Sequence, residues 1–219
     1  MGQGTRSGWA GRAARRRKSR HRVSTQSATC LVGGAVEPLE QRLLLTALDD
    51  YVAAFDPTYS YDVIDTTVVP GFTAYTIDMT SQTWRSPGEV DRTEWQHFLY
   101  IVVPDFVVDD TALLIIDGGT NGGSASLPDE LVQFAGVSGA VTAQLRTVPN
   151  QPLQFSDETF TRSEDAIIAY TFDKFLDEYP SASADEWPLL LPMTKSAVRA
   201  MDTVQDVVAG VSDFVVTGG

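Results

Sequence analysis

The stretch Thr111-Ala112-Leu113-Leu114-Ile115-Ile116-Asp117, followed at once by Gly118-Gly119-Thr120-Asn121-Gly122-Gly123, limits the fold more than any other part of the chain. It is too short and too β-branched for a helix, and it is apolar at successive positions rather than at alternate ones. Such a strand has no solvent face. It must lie inside a sheet covered by helices on both sides, as parallel strands are. The glycines that follow let the backbone turn sharply and approach its neighbours closely.

The segments around it fit that requirement. Tyr75, Ile77 and Met79 alternate with Thr76, Asp78 and Thr80, which predicts a half-buried strand. Trp84-Arg85-Ser86-Pro87-Gly88 breaks it, and a second strand runs from Trp95 to Val103 up to Pro104, so the two form an antiparallel pair. After the glycine loop come a helix over Leu127 to Val137 and a strand over Val141 to Val148. Thr161-Arg162-Ser163-Glu164 has the capping-box pattern and predicts a helix carrying Ile168, Phe172, Phe175 and Leu176 on its buried face. Ala197, Met201, Val204 and Val208 predict a second helix from about Thr194, stopped by Gly210 at C′. Asp213 to Thr217 reads as a further buried, central strand, leading to Gly218-Gly219. The fold class is therefore α/β: an antiparallel edge pair, then parallel strands alternating with helices. This is the order in which an α/β-hydrolase begins.

Charge divides the chain of 219 residues. Residues 1–46 carry nine Lys and Arg against Glu37 and Glu40, a net +7, and the rest carries seven against 27 acidic residues, a net -20. The acidic body disfavours a nucleic-acid partner despite Arg15-Arg16-Arg17-Lys18. Residues 1–46 read as a basic, largely disordered export leader and 47–219 as one domain. Within the leader, Leu39-Glu40-Gln41-Arg42-Leu43-Leu44-Leu45 resembles the LEPR-XLL type of N-terminal segment, with Gln41 where that type has Pro. That resemblance implies export. No run approaches the ~20 apolar residues of a membrane span. The one cysteine, Cys30, lies in the leader, so neither an internal disulfide nor a cysteine metal site is expected. No metal and no cofactor is expected.

The chemistry concentrates at the glycines. A serine-hydrolase nucleophile sits on a tight turn straight after a buried strand, and the oxyanion hole draws a second N–H from a loop after a neighbouring strand. Gly118, Gly119, Asn121 and Gly122 are the candidates for that loop, and Gly218 and Gly219 for the start of the turn. The same residues are also compatible with plain glycine turns, and a P-loop is excluded because no Gly-Lys-Ser or Gly-Lys-Thr follows. A triad needs histidine, and only His21, in the leader, and His97, inside a strand, exist. No residue of the chain is assigned as catalytic.

Several stretches together resemble the PhoPQ-activated pathogenicity-related protein family. They are Thr46 to Val52, Met79 to Trp84, Ile116 to Gly123, Val148 to Leu153, Asp185 to Met193 and Ala200 to Gln205. The resemblance covers roughly residues 46–219 and implies a serine-hydrolase-type fold with unknown substrate, mostly in exported bacterial proteins linked to envelope stress. In that family the last strand runs into Gly-x-Ser-Lys-Arg-Gly, so Gly218 matches the first glycine and the serine, acid and histidine would follow Gly219. The expectation is an N-terminal fragment, inactive as it stands, of an exported hydrolase. The alternative is a non-enzymatic envelope or secreted binding protein on the same scaffold.

Overall fold

The computed structural model describes residues 47–218; the leader, with His21, Cys30 and the LEPR-XLL-like segment, lies outside them, as does Gly219. The described residues open with helix α1, 47–53. Then follow strands β1 (Ser60–Val69), β2 (Phe72–Thr83), β3 (Glu94–Pro104) and β4 (Thr111–Ile116), helix α2 (Asp129–Ser138) and strand β5 (Thr142–Leu145). A short ribbon, β6 (Leu153–Gln154) with β7 (Thr161–Arg162), precedes helix α3 (Asp165–Glu178), a 3-10 turn (Ala184–Glu186), helix α4 (Leu190–Val207) and strand β8 (Asp213–Gly218).

Six strands form one sheet in the order β1-β2-β3-β5-β4-β8. The first four are mutually antiparallel, and β4 pairs in parallel with both β5 and β8. The apolar run at 111–116 thus occupies the interior parallel position its composition requires. Alternate residues of β3 divide the core. Leu99 and Ile101 pack with Leu114, Ala200 and Val204 under α4. Tyr100 and Val102 pack with Leu131 and Ala135 of α2 on the other face. A third cluster, rich in aromatic rings, joins Trp84, Trp95, Phe155 and Trp187 to Ile167 of α3. Trp84 and Trp95 meet edge to face with ring centroids 5.8 Å apart, a geometry that adds to burial through the ring quadrupoles.

Local sequence rules held in some places and lost in others. Helix α2 stops at Gly139, whose φ of +67° and N–H bond to Ala135 O at 2.9 Å make an αL C-cap. Strand β1 was not anticipated. It is an outer strand exposed along nearly its whole length, so burial writes no period-2 pattern into it.

The capping box at Thr161 does not form. Thr161 pairs with Gln154 in the ribbon, and Glu164 takes the N-cap place, its N–H donating to Gln151 Oε1 at 2.7 Å. The buried stripe is shifted from the expected face. Ile168 and Phe175 pack half-buried against the aromatic cluster as expected, but the fully buried residues are Ile167 and Thr171, while Phe172 is 39% and Leu176 70% exposed. Helix α4 starts at Leu190 rather than Thr194, with Pro192 tolerated in its first turn. Its C-cap is Val208, and Gly210, at φ +95°, serves the turn beyond rather than C′. Strand β8 has the apolar composition of an interior strand and is outermost among the described strands, paired with β4 along one edge, so Val215 and Val216 are exposed.

The shifted stripe of α3 is directly testable. Ile167→Ala should lower the unfolding free energy by about 2–4 kcal/mol, whereas Leu176→Ala should change it by less than about 0.5 kcal/mol. Urea unfolding followed by tryptophan fluorescence reads both.

Candidate functional site

Strand β4 leaves the sheet through α2 toward β5 on one side, and β8 arrives on its other side from α4. The chain thereby reverses its direction of travel across the sheet between β4 and β8. A crevice opens at the carboxyl ends of strands at such a switch point, and ligands bind there. In register, Ile116 lies opposite Gly218, so both glycine signals end at this place. A cleft of about 430 Å³ lies there between Asp117, Gly118, Val148, Met193, Thr217 and Gly218. A Cβ on Gly218 would stand 2.6 Å from the carbonyl oxygen of Ile116. A side chain there would force the two strand ends apart, so the close approach requires glycine.

The segment after β5 holds the glycine loop from one side. Val148 N–H donates to Asp117 O and Thr147 N–H to Gly118 O, both at 3.2 Å. Gln151 Nε2 donates to Gly119 O at 3.1 Å. In a trans peptide the N–H points opposite to the C=O. The N–H groups of Gly118, Gly119 and Thr120 are therefore turned away from β5 and its following segment, and β8 lies on that other side of β4. Among the described residues none of the three donates a hydrogen bond. Thr147 N would lie 3.1 Å from a Cβ on Gly119, so this contact too needs a glycine.

The candidate loop residues thus separate. Gly118 lines the cleft and Gly119 adjoins it in sequence. Asn121 is a tether: its N–H donates to Gln151 O at 2.6 Å and its Nδ2 to Pro152 O at 3.4 Å. Gly122, at φ +77°, lines a different and smaller pocket of about 110 Å³ beside Arg92, His97 and Thr147. Gln151 was missed by sequence reasoning. It is 4% exposed, holds Gly119 O, and also binds the Glu164 carboxylate and N–H. Its only signal in sequence is a polar residue between Pro149 and Pro152 in a segment of unknown path.

His97 is structural. It is 2% exposed on β3. Its Nδ1 donates to Arg146 O at 3.2 Å, which leaves Nε2 to accept from Ser81 Oγ at 2.9 Å, and Ser81 Oγ lies 2.9 Å from Ser196 Oγ. This is a serine–histidine hydrogen bond, but Ser81 and Ser196 are wholly buried and none of the three lines the β4–β8 cleft. Ser81 was legible in principle, as a hydroxyl on the buried register that continues Ile77 and Met79. Burial pushes the His97 pKa down to about 4, so the ring is neutral at pH 7.

A mixed sheet whose parallel strands carry a glycine loop and a glycine end to one switch point, with helices on both faces, is an α/β-hydrolase-type scaffold. The chain belongs to the PhoPQ-activated pathogenicity-related protein family, whose model it matches over residues 48–219. It is 39% identical over 166 residues to autocrine proliferation repressor protein A of Dictyostelium discoideum, covering 74% of this chain and 32% of that protein. Two solved structures are similar at low identity. They are an acetyl xylan esterase from Paenibacillus sp. R4 (15% identity, TM-score 0.48, 81% of this chain and 50% of that one) and a putative acetyl xylan esterase from Bacteroides fragilis (12%, 0.46, 80% and 45%). The chain thus spans about a third of the length of its curated relative and about half of those solved chains. No helix among the described residues is long and apolar enough to cross a membrane.

The buried imidazole sets a pH dependence. Its pKa is about 4 when folded against 6.5 as a free side chain, so the unfolded chain binds the proton more readily. The contribution is fully present above pH 6.5, is lost as pH falls toward 4, and amounts to about 3 kcal/mol. Urea unfolding between pH 7.5 and 4 should show this loss, and His97→Gln should flatten it while lowering stability at pH 7.

Proposed function

We propose that the chain carries the oxyanion-hole side of a serine-hydrolase-type site belonging to an exported protein. The reading rests on one observation above all: the carbonyls of Asp117, Gly118 and Gly119 are tied to the segment after β5, which turns the following N–H groups away from it and leaves them without an acceptor among the described residues. Gly118 and Gly119 would donate to the oxyanion that forms when a serine oxygen attacks an acyl carbonyl. Gly218 would open the turn bearing that serine, with serine, acid and histidine following Gly219 in a longer form of the protein. The family resemblance supports this. On this reading the 219-residue chain has no hydrolase activity of its own, since Ser81, the described serine that bonds to His97, is wholly buried.

Export is supported by the basic leader, by its LEPR-XLL-like segment and by the word autocrine in the name of the Dictyostelium relative. The same name describes a growth regulator rather than an enzyme, and this favours a second reading, a non-catalytic secreted binding protein on the same scaffold.

The two readings separate in a chain extended through the expected Gly-x-Ser-Lys-Arg-Gly turn and the sequence beyond. A fluorophosphonate should label its serine, and it should hydrolyse p-nitrophenyl acetate, which the 219-residue chain should leave at the buffer rate. Gly119→Ala should lower kcat by about 10²-fold. A folded extended chain that is neither labelled nor active means the binding-protein reading is right.

A further inference from the structure

Helix α4 presents Met193 to the β4–β8 cleft, but Leu191 and Lys195 line a second one, of about 510 Å³, between α1, the end of β2 and the 3-10 turn. Its volume suits a small organic ligand. Two cationic side chains line it and both are almost wholly buried. Lys195 is 4% exposed, and the Arg85 side chain 5%.

Neither is fully satisfied. The Lys195 ammonium donates to Ala54 O at 2.9 Å, and no carboxylate among the described residues forms an ion pair with it. Asp56, whose charge acts on Lys195, lines the same cleft, but its oxygens are already held by other donors. Its oxygens accept from Thr58 N–H at 3.0 Å, Thr58 Oγ1 at 2.6 Å and Thr83 N–H at 2.8 Å. Arg85 pairs with Glu89 and donates to Ser183 O at 3.1 Å, while its buried Nε has no partner among the described residues. The Lys195 ammonium also stands 5.2 Å from the Tyr51 ring centroid and the Arg85 guanidinium 3.9 Å from that of Trp187, but a buried ammonium with one hydrogen-bond acceptor and a buried guanidinium N–H with none are still costly unless an anionic group completes them. Burial holds the Lys195 pKa below the usual lysine range.

The outer wall has the opposite sign. Asp50, Asp185 and Glu186 line the cleft and are exposed. A bare anion meets three carboxylates on its way in, whereas a ligand with a positive end uses them. Tyr51, Trp84 and Leu191 supply the apolar floor between the two charges.

We propose that this cleft binds a small zwitterion of the amino-acid or short-peptide class, its carboxylate on Lys195 with support from Arg85 and its ammonium against Asp50, Asp185 and Glu186. The site is separate from the β4–β8 cleft and does not depend on the hydrolase reading. Calorimetric titration of the 219-residue chain with three probes tests it: glycylglycine carries both charges, N-acetylglycine only the carboxylate, and glycinamide only the ammonium. Glycylglycine should bind at least tenfold more tightly than either of the others, and Lys195→Met should reduce its affinity to that of glycinamide. Because Lys195 is buried, the exposed Asp185→Asn carries the test independently of folding, and should weaken glycylglycine at least threefold while binding N-acetylglycine no more weakly than before. Equal affinity for the three probes, no detectable glycylglycine binding, or glycylglycine binding that Asp185→Asn leaves intact would overturn the proposal.

Discussion

The parallel ladders on either side of β4 hold the rest of this structure in place. Leu113 pairs with Thr142 on one side and with Val215 on the other, so a single apolar strand sets the positions of both β5 and β8. Because it is interior, both its faces need covering, and α2 and α4 do so from opposite sides. Because the chain reverses its direction of travel there, the carboxyl ends of β4 and β8 are left open to solvent with Gly118 and Gly218 at their tips. The candidate site is thus a consequence of sheet topology before it is a matter of any side chain.

Backbone hydrogen bonds then give the loop its polarity. Residues 147–151 donate to three successive carbonyls of the glycine loop, counting the Gln151 side chain. Gln151 is in turn anchored to Glu164, at the N-cap of α3. The positive φ of Glu164 (+52°), the failure of the Thr161 capping box and the orientation of the loop therefore belong to one arrangement. A better-capped α3 would give up the partner that orients Gln151.

The polar groups in the core divide into two kinds. Ser81, His97 and Ser196 form a closed chain that ends on a backbone carbonyl, and its neutral histidine is fully partnered. Lys195 and Arg85 are buried but incompletely partnered, and they line open volume. That contrast separates a packing device from a place where a ligand fits.

Sequence alone determined the central strand, the α/β order and the position of the two glycine signals, since these follow from local composition and from periods of 2 and 3.6 residues. The capping-box pattern at Thr161 and the expected face of Phe172 and Leu176 were local inferences that non-local pairing overrode: once Thr161 joined Gln154 in a ribbon, the helix began at a different residue and turned another stripe inward. Strand β1 left no trace because a strand exposed on both faces is under no constraint to alternate. Only the tertiary structure decided which glycine N–H groups lack an acceptor among the described residues, that Asn121 is a tether, that His97 is sealed against Ser81, and that Lys195 lies beside a cleft. Each depends on where a segment 16 to 141 residues away in sequence comes to rest, and no local pattern records that.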